Sequence, residues 1–162
     1  MSFAIIFLIQ AITSFIATCA FGIIYNIPLK PLVHGGLIGS IAWLIYFFLY
    51  QSNGNDFLAT FVASFVIALM SQIFARLCKN PVILYSVSGI IPLVPGGLTY
   101  TIMSRAVGDN YNLAIHLGEK AFVLSGAIAM GLIFAEVLYQ IFKRTFLRWN
   151  RNRPDRIAIF RK

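Results

Sequence analysis

Charge is scarce in this chain. Only 11% of its 162 residues are Asp, Glu, Lys or Arg, where a water-soluble domain carries roughly a quarter. Acidic residues are fewest of all, five against thirteen basic, for a net charge of +8. With 59% apolar residues and a mean hydropathy of +0.83, the composition excludes a soluble globular domain and points to a small integral membrane protein. Cysteine is nearly absent. Cys19 and Cys78 fall in or beside apolar segments without metal-ligand spacing, so they read as small packing residues and no metal or other cofactor is implied. No basic stretch precedes the first apolar run. IATC at 16–19 has threonine before its cysteine, which argues against a lipoprotein cleavage site and for a retained first helix. Nucleotide-binding, metal-binding and hydrolase motifs are also missing. The glycines of SGIIPLVPGG lack the Lys-Ser/Thr partner that a phosphate loop requires.

What is present is long and apolar. Five stretches, Phe3–Tyr25, Gly35–Tyr50, Phe57–Leu77, Pro81–Ser104 and Lys120–Phe142, are separated by NIPLKP (26–31), QSNGND (51–56), CKN (78–80) and RAVGDNYN (105–112). Four are about the length of a membrane-spanning helix, and the second, the shortest, is extendable through Val33 and His34. The last is extendable back to a cap at Asp109 or Asn110, as a long tilted helix. The expected fold is therefore an all-α integral membrane protein of five transmembrane helices over residues 1–142, followed by a basic tail, 143–162. Lys143, Arg144, Arg148, Arg151, Arg153, Arg156, Arg161 and Lys162 all lie in that tail, which the positive-inside rule places in the cytoplasm. Five spans then put the N-terminus outside. Lys30, Arg76 and Lys79 fall on the inner side, and only Arg105 and Lys120 on the outer. A re-entrant fourth segment would reverse the parity. The tail serves as a topology anchor or as an interfacial helix on anionic lipid. Charge clustered against a membrane helix does not suit nucleic acid.

The fourth stretch contains an interruption. Ser88 to Tyr100 reads SGIIPLVPGGLTY. Proline removes an amide and clashes with the carbonyl four residues back, so Pro92 should free the carbonyl of Ser88, and Pro95 that of Ile91. Gly96 and Gly97 relax the backbone further. The break is expected near residue 93, mid-membrane, where freed polar groups must face protein or a water-lined cavity. A half-helix starting around Gly97 would direct its amides at the break, favouring a carboxylate. Ser88, Thr99 and Tyr100 would add hydroxyls. A buried structural kink is the plainer alternative.

Glu136 is the one carboxylate well inside an apolar segment. A buried carboxylate can carry a coupling proton, and Gln140, one turn on, is a hydrogen-bond partner for it; pairing with Lys143 or Arg144 at the interface is the alternative. Ser14, Thr18 and Gly22, then Gly35 and Gly39, then Ala127, Gly131 and Ala135 recur at helix-packing spacing. Gln10, Gln72, Ser64 and Ser71 are polar positions within helices that suit a bundle interior or a pathway.

NIPLKPLVHGGLIGSIAWLIY (26–46), CKNP (78–81) and GIIPLVPGGLTY (89–100) together resemble the bacterial threonine/serine exporter family, in its small five-helix split subunit. PLVPG is the most specific element. The resemblance implies a protein of the bacterial cytoplasmic membrane that matches the C-terminal half of fused members and works with a larger membrane subunit carrying the N-terminal half. It implies export of threonine and serine, or of a dicarboxylate such as succinate. Pro92, Pro95, Gly96 and Gly97 become the candidate pathway element. The function expected is thus a subunit of an ion-gradient-driven exporter of small carboxylate-bearing metabolites. A non-transporting membrane scaffold is the alternative, and an enzyme is not expected.

Overall fold

A computed structural model describes residues 3–108 and 110–151, with side chains over 5–108 and 110–144. Asp109, one of the two proposed caps, lies outside the described residues, as does most of the basic tail. Among the described residues the fold is all helical: α1 (Phe3–Ile24), α2 (Leu29–Asn53), α3 (Asp56–Leu77), α4 (Ile83–Ile90), a 3₁₀ turn (Ile91–Leu93), α5 (Gly96–Val107) and α6 (Tyr111–Arg151). α1, α2, α3 and the first part of α6 are each long and apolar enough to cross a membrane. The pair Ile83–Leu93 and Gly96–Val107, bent by 50°, adds a fifth span if counted as one.

One helix start moves from its sequence position, and the last helix takes the longer of its two expected forms. α2 begins at Leu29 rather than Gly35, so Lys30 and Pro31 fall in its first turn. Proline is tolerated there because first-turn amides have no intrahelical acceptor. α6 begins at Tyr111 and continues without interruption past Phe142 to Arg151. Its 41 residues span about 60 Å at 1.5 Å per residue, roughly twice the hydrocarbon thickness. The turn between α2 and α3 keeps its expected chemistry. Gly54 takes φ +64° as the left-handed cap of α2, and the Asn55 side chain caps α3 by accepting from the amides of Phe57 and Leu58.

Small residues set the packing. α1 meets α2 where Thr18 faces Gly39, Cys19 and Phe15 face Gly36, and Leu32 lies over Gly22. Trp43 Nε1 donates to Gln10 Oε1 at 2.8 Å and Ser40 Oγ to the Ala11 carbonyl at 3.0 Å, tying the same pair. α2 meets α4 through Gly35 and Ser88. α3 and α6 run parallel. Lys120 pairs with Asp56 at one end, Gly131 packs on Ser64, Gln72 reaches Glu136, and Arg76 stacks on Tyr139 at the other. Ile38, Ile67, Tyr85 and Leu93 fill the centre between α2, α3 and α4.

Candidate functional site

The chain breaks after the 3₁₀ turn, at Val94 and Pro95. Proline at 92 denies Ser88 its usual i+4 partner, and the backbone tightens so that the Ile91 amide donates to the Ser88 carbonyl instead. The carbonyl expected to be free is therefore occupied. Val94 N–H reaches the Ile90 carbonyl at 3.2 Å, Gly96 N–H the Val94 carbonyl at 2.7 Å, and Thr99 N–H the Pro95 carbonyl at 3.1 Å. α5 starts at Gly96 with no side-chain cap. Its first-turn amides are thus a polar end of positive potential without a side-chain acceptor.

Depth follows from the packing. A side chain at Gly89 would meet Ile67, which lies midway along α3. Val94 is five residues further, about 7 Å along the axis at helical rise. The break thus sits off the bundle centre, toward the end where Asp56 pairs with Lys120.

The predicted pathway residues do not form one group. Gly96 and Gly97 are exposed, and a Cβ at either would meet nothing within 4 Å. Pro92 and Pro95 are half-buried beside them. Thr99 is exposed, its hydroxyl returned to the Pro95 carbonyl at 3.0 Å. Tyr100, 77% exposed, projects from α5. Ser88 lies apart, fully buried, with its Oγ donating to the carbonyls of Leu84 (2.8 Å) and Tyr85 (3.2 Å). α5 contains no buried residue and packs against α6. Among the described residues the Gly96–Gly97 side of the break is open.

Glu136, expected to be buried, is exposed on α6, because the apolar run around it faces outward rather than into the bundle at this position. Gln140 Nε2 donates to its Oε1 at 3.1 Å, as the one-turn spacing suggests, and Gln72 Nε2 from α3 donates to its Oε2. Among the described residues no ion pair joins it to Lys143 or Arg144. Gln72 is the partner that sequence reasoning left unassigned, because no local signal specifies the register of two parallel helices 64 positions apart. Ser71, one residue away and fully buried, keeps an Oγ with no partner among the described residues.

The segments NIPLKPLVH and CKNP, far apart in sequence, meet at the end of the bundle opposite Asp56. Lys30, His34, Cys78 and Asn80 line a cleft of about 630 Å³ there with Leu29 and Val33. His34 Nδ1 lies 2.6 Å from the Lys30 carbonyl. A carbonyl only accepts, so Nδ1 carries the hydrogen and Nε2 faces away from that bond. Asn80 Nδ2 donates to the buried Tyr85 hydroxyl at 3.2 Å.

Multiple apolar helices, one of them broken, with polar groups placed along the bundle, are the architecture of a multi-pass membrane protein. Residues 10–138 match the family model described as Threonine/Serine exporter, ThrE, and the chain belongs to that family. No solved structure matches it.

Proposed function

We propose that the chain is one subunit of a secondary-active exporter of small carboxylate-bearing metabolites, threonine and serine or a dicarboxylate such as succinate. It works with a larger membrane subunit in the bacterial cytoplasmic membrane. The observation that carries this reading is the uncovered break. An uncapped helix N-terminus within the apolar layer costs several kcal/mol if it faces lipid, and among the described residues a Cβ at Gly96 or Gly97 would meet nothing within 4 Å. A second half that covers it, leaving room for a carboxylate at the α5 amides, resolves that cost. The 50° bend supports a broken fourth span, since a re-entrant hairpin would reverse direction.

Orientation follows the charges. Lys30, Arg76, Lys79, Lys143 and Arg144 gather at one end, which is taken as cytoplasmic, with the N-terminus outside. Lys30 and His34 then stand at the inner mouth, where a carboxylate would arrive. Rocking of the two halves would pass it to the α5 amides and out. Export of threonine, serine and dicarboxylates from cells lacking the gene, alone and with its partner's gene, tests the assignment. Unchanged export and unchanged internal pools for all of them would refute it.

Glu136, exposed on this chain alone, is assigned the coupling proton on the reading that the second half covers it, with Gln72 and Gln140 holding the carboxylate in place. Glu136→Gln retains both amide neighbours and the volume. It is expected to lower uphill export about a hundred-fold or more, the lower end of the scale for losing one proton-transfer group, with protein level unchanged. Efflux driven by an imposed pH gradient in vesicles reads this out, and wild-type uphill export by the variant would remove Glu136 from the mechanism.

A further inference from the structure

The α3–α6 seam has a second feature, outside the pathway and independent of its assignment. A groove of about 620 Å³ opens on the outer surface of these two helices. Its walls are Phe65 and Leu69 from α3 and Leu138 and Phe142 from α6, and Arg76, Tyr139 and Lys143 complete its lining. Phe65 and Arg76 are eleven positions apart on one helix, about 16 Å at helical rise. One leaflet of the hydrocarbon core is about 15 Å deep. The groove is thus apolar over the depth of a leaflet and cationic at one end.

Among the described residues neither cation pairs with a carboxylate. The Arg76 guanidinium lies 4.5 Å above the Tyr139 ring, a stack that occupies its face and leaves the in-plane N–H fork available for phosphate. Lys143 follows one turn after Tyr139 and is exposed. Glu136, one turn before Tyr139, has its oxygens taken by Gln72 and Gln140. Among the described residues the ion pair present, Lys120–Asp56, is at the far end of the bundle.

We propose that this groove is a binding site for one anionic phospholipid, its phosphate against Arg76 and Lys143 and an acyl chain along Phe65, Leu69, Leu138 and Phe142. Charge complementarity selects an anionic headgroup, and the apolar length selects a lipid over a soluble phosphate. The leaflet is the cytoplasmic one in the orientation proposed above.

Native mass spectrometry of the purified full chain, given phosphatidylglycerol or phosphatidylcholine with identical acyl chains, tests this. One phosphatidylglycerol should be retained at least ten-fold more readily. Arg76→Gln and Lys143→Gln should each reduce that preference roughly five-fold, the scale of one basic residue at an anionic surface, and Arg105→Gln at the other end should leave it unchanged. Leu69→Trp fills the groove and keeps both charges, so it should expel the lipid even where a charge variant is poorly folded. Four results would each overturn the proposal: equal retention of the two lipids; retention unaffected by the double charge variant; retention lost only when Arg148, Arg151, Arg153 and Arg156 are neutralised, which would assign it to the tail; and loss of partner co-purification with lipid retention intact, which would make the groove a protein interface.

Discussion

Gly97→Leu is expected to leave the protein folded and membrane-inserted, and still bound to its partner, while export falls by about two orders of magnitude. Among the described residues a Cβ at Gly97 meets no atom within 4 Å, so the substitution starts into open space. The first turn of α5 also has no buried residue to displace. The bulk instead stands over the amides that the proposal assigns to the carboxylate. Hydrogen bonds to a charged group contribute about 1.5–3 kcal/mol each, so losing one or two gives the stated drop. Export of labelled threonine, serine and succinate, with co-purification of the partner measured on the same cells, reads both halves of the expectation. The Pro95→Ala, Gly96→Ala double change separates the rival reading. A pathway element loses transport with assembly intact, and a scaffold loses assembly. If Gly97→Leu exports at the wild-type rate, α5 is not where substrate binds.

The largest effect on stability is expected at Gly131. Its Cβ would stand 2.7 Å from the Phe61 carbonyl oxygen and 3.1 Å from the Phe65 nitrogen, and would overlap the Ser64 hydroxyl. Two of these three neighbours are backbone of α3, so no rotamer change relieves the clash. Over-packing costs about 1–3 kcal/mol where side chains can yield. Gly131→Ala should reach the top of that range, and Gly131→Leu should separate α6 from α3. Gly126, on the same helix with open space around it, is the control: Gly126→Ala should be neutral or slightly stabilising. Thermal unfolding in detergent, with expression level as a second readout, distinguishes them. A Gly131→Ala protein as heat-stable as wild type would contradict the α3–α6 packing described above.

Much of the fold was legible because membrane helices follow two simple rules. Length and hydropathy marked the segments, and small residues marked the seams. Thr18 and Gly22 on α1, Gly35 and Gly39 on α2, and Ala127, Gly131 and Ala135 on α6 do lie at helix contacts or in the buried core. The PLVPGG interruption was legible from proline chemistry alone. Its details were not, because the freed Ser88 carbonyl was recaptured by a 3₁₀ bond and the centre of an apolar run is not the centre of a bundle. Ser88 illustrates the limit. Sequence proximity grouped it with Gly97, but the bend carries Gly97 to an open surface and leaves Ser88 against Gly35. Gln72 beside Glu136 and Arg76 on Tyr139 are matters of register between distant helices, which periodicity within one helix does not encode.

The central claim is that this chain supplies half of a transport site. Efflux of preloaded labelled threonine, serine or succinate should be measured in exporter-deficient cells expressing this chain, the larger subunit, or both. The account predicts efflux only when both are present. Full efflux from this chain alone, or none of any of these solutes from the pair, would contradict it.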